Sequence, residues 1–213
     1  MIRSEQPFPE GAEAITCQHG LYYKQNIEGK FQDGFMILAG TNAGQVLCIS
    51  PDNLEKRHMI LQAHAAPIQH ILVSKDNSML FSCDTKTFKV WAIKFGEPGK
   101  RVQGLDTPLA TLSIPSLELV AMKEVSSAFF EVMAVDEVQK TIAMTSTDSR
   151  ISFYSYENDR ISQLRQKGSG QENHTGGITA IVSCEKLGLF ASSSIDGSVK
   201  IWKNARLIRY CHW

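Results

Sequence analysis

The chain has 213 residues and a mass of 23.7 kDa, and 43% of its residues are hydrophobic, enough for the core of one globular domain or two small ones. Its 22 basic and 22 acidic side chains cancel to a formal net charge of zero, which predicts neither nucleic acid nor a membrane surface as a partner. The first residues do not resemble a secretory leader and no apolar run has the length of a membrane span, so we expect a cytoplasmic or nuclear protein.

Short apolar runs rich in β-branched and aromatic residues alternate with clusters of Gly, Asn, Asp and Ser, which predicts an all-β protein. Four segments share a pattern of strand, tight polar turn and strand: 36–49, 80–91, 142–154 and 189–202. Further strands are predicted between these hairpins: 68–73, 109–114, 128–135 and 178–183. They bring each complete unit to four strands.

The last residues of the four hairpins, Ile49, Trp91, Tyr154 and Trp202, are spaced by 42, 63 and 48 residues. A unit of about 40 to 45 residues that recurs with insertions is typical of a β-propeller blade, a four-stranded antiparallel sheet. We place the insertion of the second interval in a loop at 95–108, because this segment is rich in Gly and Pro. The repeating units lie near residues 15–50, 63–93, 109–156 and 173–210.

Particular residues recur at fixed places in these units. The last unit has His174, an apolar strand, Ser192, Asp196 in a turn and Trp202, and His174 and Trp202 are 28 residues apart. In this order it is similar to the repeats of the WD-repeat (WD40-type) family, which carry a Gly-His-like dipeptide, an apolar strand, a Ser, a turn Asp and a Trp-Asp-like end.

The other units resemble the family less closely. The second has His64, Ser82 and Trp91, and His64 and Trp91 are 27 residues apart, but its turn at 84–87 is one residue short. The first and third units keep the hairpin but have Ile49 and Tyr154 in place of Trp and no His at the expected position.

The resemblance implies a buried network of four side chains in the last unit. The indole N–H of Trp202 would donate to Ser192, the hydroxyl of Ser192 to His174, and the imidazole N–H to Asp196, so that every polar group is satisfied. A Ser, a His and an Asp also occur in nucleophilic catalysis, but Ser192 would lie between strands without a cleft or oxyanion donors. We therefore expect a structural network, with His64, Ser82 and Trp91 as its counterparts.

The five cysteines show no C-x-x-C spacing, and the short Cys/His pairs at 17–19 and 211–212 lack the further ligands that a zinc site needs. We predict reduced thiols, no metal, no cofactor and no catalytic residue. Cys48, Cys83 and Cys184 lie in strand-like segments and are expected to pack in the core.

Propellers of the WD-repeat family usually close with about seven blades, which need about 300 residues at the repeat length given above. Four recognisable units, with part of a fifth conceivable at 15–23, predict an incomplete ring of four to five blades. We expect a piece of a longer chain whose end blades expose apolar faces, so that the rest of a propeller or a self-association partner covers them.

The resemblance implies a non-catalytic scaffold that binds other proteins. Two sets of segments should lie at the same end of every blade and form a polar rim there: the loops that precede the inner strands, and the turns of the hairpins. Its candidate binding residues are Asn42, Lys86, Arg150 and Asn173.

Two alternatives place a site at the central channel: a propeller enzyme or a reader of modified peptides. The predicted inner strands offer Glu131 as their single carboxylate, and no aromatic cage is visible. The segment 202–209 resembles repeats of very large multi-propeller proteins of cilia and flagella, which indicates a cilium or the cytoskeleton as a further possible location.

Overall fold

The computed structural model describes residues 14–27, 30–51, 53–95, 115–124, 130–165 and 172–212. In these ranges sixteen strands form four antiparallel sheets of four strands each, which we call blades 1 to 4, and no helix occurs. The strands of each blade pair in chain order, so every sheet is a simple meander. The predicted all-β fold built from four-stranded antiparallel blades is confirmed.

The sixteen strands are assigned to the blades in order along the chain. Blade 1 contains β1 Ile15–Ile27, β2 Lys30–Thr41, β3 Gln45–Ser50 and β4 Asn53–Gln62. Blade 2 contains β5 His70–Val73, β6 Met79–Cys83, β7 Thr87–Lys94 and β8 Ser116–Glu124. Blade 3 contains β9 Phe130–Asp136, β10 Thr141–Ser146, β11 Ile151–Glu157 and β12 Arg160–Gln163. Blade 4 contains β13 Ile178–Cys184, β14 Leu189–Ser194, β15 Ser198–Lys203 and β16 Arg206–His212.

The blades pack face to face through three apolar layers. Blade 1 meets blade 2 around Leu38 and Leu80, blade 2 meets blade 3 around Phe81, and blade 3 meets blade 4 around Phe153 and Trp202. The inner strands β1, β5, β9 and β13 lie side by side in this order. Among the described residues the four sheets do not close into a ring, as expected for an incomplete propeller.

Three of the predicted additional strands correspond to inner strands: 68–73 to β5, 128–135 to β9 and 178–183 to β13. The predicted strand at 109–114 and residues 96–108 of the predicted loop at 95–108 fall outside the described residues. The third sequence unit, 109–156, includes β8 of blade 2 and three strands of blade 3, so the sequence units are offset from the sheets. The segment 15–23 belongs to the inner strand of blade 1.

The cysteine prediction is correct for two residues and wrong for one. Cys48 and Cys83 are buried, and burial raises the pKa of both thiols, that of Cys48 to about 11. Cys184 is exposed, because it lies at the end of β13 on a face of blade 4 that no described residue covers. The prediction failed because it assumed that both faces of every blade are packed.

Candidate functional site

In blade 4 the structure brings together the four residues that the resemblance implied. The indole Nε1–H of Trp202 donates to Ser192 Oγ over 2.9 Å, and Ser192 Oγ lies 2.8 Å from His174 Nε2. His174 Nδ1 lies 3.1 Å from Asp196 Oδ2. The serine oxygen accepts the hydrogen bond from the indole and donates its own proton to Nε2 of His174. The imidazole proton is therefore on Nδ1, which donates it to the carboxylate of Asp196. The network thereby ties the loop before β13 to β14, β15 and the turn between them.

Blade 2 contains the same network. Trp91 Nε1–H donates to Ser82 Oγ over 2.9 Å, and Ser82 Oγ lies 2.7 Å from His64 Nε2. His64 Nδ1 lies 3.0 Å from Asp84 Oδ2, although the turn that holds Asp84 is one residue short. Sequence reasoning did not assign Asp84 to the network, because it follows Ser82 by two residues whereas Asp196 follows Ser192 by four.

A hydroxyl at the start of the third strand completes each network and was also missed. Ser198 Oγ donates to Asp196 Oδ1 over 2.6 Å and lies 3.0 Å from His174 Nδ1. Thr87 Oγ1 donates to Asp84 Oδ2 over 2.8 Å and lies 2.9 Å from the corresponding nitrogen of His64. Both hydroxyls hold the carboxylate against the imidazole. The sequence feature that could have identified them is a Ser or Thr immediately before the strand that ends in Trp.

A lysine two residues before each Trp fixes the loop that precedes the inner strand, which we call the lead-in loop. Lys200 Nζ donates to the carbonyl oxygens of Glu172 and Asn173 over 3.1 and 2.6 Å. Lys89 Nζ donates to the carbonyl oxygen of Ala63 over 2.5 Å. Each lysine pairs across the sheet with the serine of its network, so loop and network are held by the same strands.

Burial and hydrogen bonding set the charge state of these groups. Burial lowers the pKa of His174 and of His64 below the usual value and outweighs the neighbouring carboxylates, so both imidazoles are neutral at pH 7. Burial alone would raise the pKa of Asp196, but hydrogen bonds from Ser198, Thr175 and His174 outweigh it and hold the pKa well below its usual range. The serine hydroxyls are buried and hydrogen-bonded on both sides, so a substrate does not reach them.

The four predicted rim residues lie at one end of the blades. Asn42, Lys86 and Arg150 are exposed in the turns between the second and third strands of blades 1, 2 and 3. Asn173 is half-buried in the lead-in loop of blade 4, and its carbonyl oxygen is one of the acceptors of Lys200. Arg150 has its Nε 3.3 Å from Asp148 Oδ2 in the same turn.

A cavity of about 470 Å³ opens beside Arg150 at this end of blade 3. The cavity is lined by the start of β11, the end of β12 and the residues next to them: Arg150, Ile151, Ser152, Gln163, Leu164 and Arg165. Sequence reasoning did not identify this cavity, because Arg150 and Arg165 meet through the pairing of β11 with β12.

Glu131, the predicted carboxylate of the inner strands, lies on β9, and its side chain is outside the described part of the structure. Asp136 at the end of β9 is buried and accepts a hydrogen bond from the backbone N–H of Gln139 over 2.9 Å. No cluster of three or more potential metal-binding side chains occurs in the described ranges, and no described helix is long and apolar enough to cross a membrane.

The family model described as WD domain, G-beta repeat matches residues 55–92 and 166–203. The chain contains WD40 repeats. Each matched segment includes one complete network, from His64 to Trp91 or from His174 to Trp202. A search of curated proteins finds no significant match.

Solved structures confirm the propeller fold. One match is the β-propeller domain of Cps50 (Swd1) from Myceliophteria thermophila, with a TM-score of 0.62 and 13% sequence identity. The alignment covers 95% of this chain and 57% of that chain, so the protein spans a little over half the length of that chain. At this identity the likeness concerns the fold.

The register shows how the inner three strands of blades 1 and 3, which lie outside the matched segments, differ from those of blades 2 and 4. The position of Ser192 is occupied by Ala39 in blade 1 and Met144 in blade 3, and Ile49 and Tyr154 replace Trp. In these blades apolar side chains therefore replace the serine at the centre of the network, so no buried hydroxyl there needs partners.

Proposed function

We propose that the protein is a non-catalytic scaffold that binds other proteins through the rim, the surface formed by turns 42–44, 84–86, 147–150 and 195–197 and by the lead-in loops. WD40 propellers generally bind other proteins, and this fold supports an interaction scaffold. The observation that carries the proposal is that both networks hold the rim in place. His64 and His174 in the lead-in loops bond to the turn carboxylates of Asp84 and Asp196 at the rim end of the blades. A preformed surface loses little conformational entropy when it binds.

The exposed chemistry of the rim favours a protein with acidic and apolar side chains at its contact surface. Lys86, Arg150 and Arg165 contribute cationic groups, and Ile195 is a strongly exposed apolar side chain in the turn of blade 4. Arginine and large apolar residues are common in protein–protein interfaces, and complementary charges increase association rates. The zero net charge of the chain supports protein partners in preference to nucleic acid or membranes.

We further propose a cytoplasmic location, in a ciliary or cytoskeletal assembly. The support is the resemblance of the segment 202–209 to repeats of ciliary and flagellar proteins. Imaging of the tagged protein in ciliated cells tests this location independently of binding: co-localisation with the axoneme is expected, and exclusion from the cilium and the cytoskeleton would contradict it.

Affinity enrichment with quantitative mass spectrometry tests the scaffold function. The bait is compared with a rim variant, Lys86→Glu with Arg150→Glu, and with a control of the same charge change at the opposite end, Lys186→Glu with Lys203→Glu; all four residues are exposed. We expect near-stoichiometric proteins that the rim variant loses and the control retains. Equal retention by both variants, or no enriched protein, would overturn the proposal.

A further inference from the structure

The four blades use equivalent positions to pack against the next blade. Cross-strand pairs on this face are Leu38 with Cys48, Phe81 with Val90, Ala143 with Phe153, and Ala191 with Ile201. The first three pairs are buried, whereas both members of the pair in blade 4 are only half-buried. Blade 4 therefore carries an interface surface that no described residue covers.

This open face of blade 4 is apolar and uncharged over its inner three strands, and consists of Ala180, Val182, Ala191, Ser193, Val199 and Ile201. Val182 is 60% exposed, whereas Ala134, which has the same place in blade 3, is 6% exposed. The largest contiguous apolar patch on a protein surface is often a site of interaction with another protein.

The other end of the arc does not offer a matching surface. The face of blade 1 that points away from blade 2 includes Ala39, Leu47 and Ile49, and all three are buried. A head-to-tail contact, which would place the open face of one copy on blade 1 of the next, is therefore blocked. Identical copies can then associate through the same face on both, which is the arrangement of a closed twofold dimer.

We propose that two copies of the chain associate through their open faces, sheet against sheet, with blade 4 of one copy on blade 4 of the other. The six residues that form the open face carry no charge, so they meet their copies without charge repulsion, and Arg209 lies at the edge of the face on the outer strand β16, opposite Ile201. Its small residues, Ala180, Ala191 and Ser193, alternate with Val182, Val199 and Ile201, which lets side chains of one sheet enter the spaces of the other, as in sandwich packing.

The size of the open face sets the expected affinity of the dimer. Three strands about 4.8 Å apart and about six residues long, at about 3.3 Å per residue, give a flat footprint of about 300 Å² per copy. This is below the roughly 800 Å² per partner of a standard stable complex, so we expect a dimer with a dissociation constant in the micromolar range.

Sedimentation velocity over about 1–200 µM protein, a range that brackets micromolar affinity, tests the proposal with the full chain and two variants. The wild type should shift from 23.7 kDa to twice that mass. Val182→Lys should remain monomeric, because it places a charge in the interface. Val138→Lys is the matched control, because Val138 is 74% exposed in the turn between β9 and β10, and it should dimerise like the wild type. A monomeric wild type, a dimeric Val182→Lys or assemblies that grow beyond the dimer would overturn the proposal.

Thiol labelling of the wild type gives a second measurement that does not depend on how the variants fold. Cys184 and Cys211 are exposed, and their register places them on the open face, Cys211 opposite Val199. Dimerisation should slow the reaction of both with an alkylating reagent as protein concentration rises. A labelling rate that is independent of concentration would contradict the shared face.

Discussion

Trp202 links the polar network of blade 4 to the packing between blades. Its indole donates to Ser192, and its ring lies with its centroid 5.8 Å from that of Phe153 in blade 3. The side chain is completely buried. One residue therefore joins two strands and the lead-in loop of its own blade through the network, and it contacts one strand of the neighbouring blade through an apolar contact.

The first prediction concerns this residue. Trp202→Ala should lower the free energy of unfolding by about 3–5 kcal/mol, because it leaves a large cavity and removes the donor to Ser192. Urea denaturation measures the change. Ser162→Ala on the exposed side of β12 is the control and should change stability by less than about 0.5 kcal/mol. An unchanged unfolding midpoint for Trp202→Ala would show that the network does not stabilise the blade.

The second prediction concerns pH. The pKa values of His19, His64, His70 and His174 are lowered in the folded chain, in each case mainly by burial. The unfolded chain therefore binds protons first, near the ordinary histidine pKa of about 6.5, and stability present above that pH is lost as pH falls. The urea midpoint should decrease from pH 7.5 to pH 5.5, and a midpoint that rises or stays constant in this range would contradict the neutral buried imidazoles.

At the scale of single elements, turn glycines differ in what surrounds them. Gly44, between β2 and β3, has φ of +81°, and a Cβ there would lie 2.2 Å from the carbonyl oxygen of His64. Its own carbonyl accepts the backbone N–H groups of Ala63 and His64. Gly197, between β14 and β15, has φ of +76° but no atom within 4 Å of a Cβ. The turn of blade 1 thus supports the lead-in loop of blade 2.

The third prediction compares these two glycines. Gly197→Ala should cost about 1–2 kcal/mol from backbone strain alone. Gly44→Ala should cost clearly more, because the methyl group displaces the lead-in loop that positions His64. Thermal unfolding of the two variants gives the order, and equal or reversed costs would mean that the loop does not depend on this close approach.

The sequence predicted the hairpins and the members of one network because strand alternation, turn residues and the 28-residue spacing from His174 to Trp202 are local properties. Asp84, Thr87 and Lys89 were missed because their role depends on how a shortened turn folds back on His64. The exposed Cys184 was predicted to be buried for a similar reason. Whether a sheet face is covered depends on the neighbouring blade, and the residues of the strand itself do not predict it.

The described residues form an open arc of four blades made of strands, and the fourth prediction follows from this composition. Far-ultraviolet circular dichroism should show a strand-dominated spectrum, with helix content below about a fifth, against the third that is common in globular proteins. A helix content above this level would contradict the blade architecture.

The fifth prediction concerns the central claim, that one end of the arc binds proteins. Hydrogen–deuterium exchange, measured on the free chain and on its complex with an enriched partner, compares the two ends directly. We expect slower exchange in the complex at the rim turns 42–44, 84–86, 147–150 and 195–197, and unchanged exchange at the opposite turns 74–78, 137–140 and 185–188. Protection confined to the opposite turns would contradict the claim.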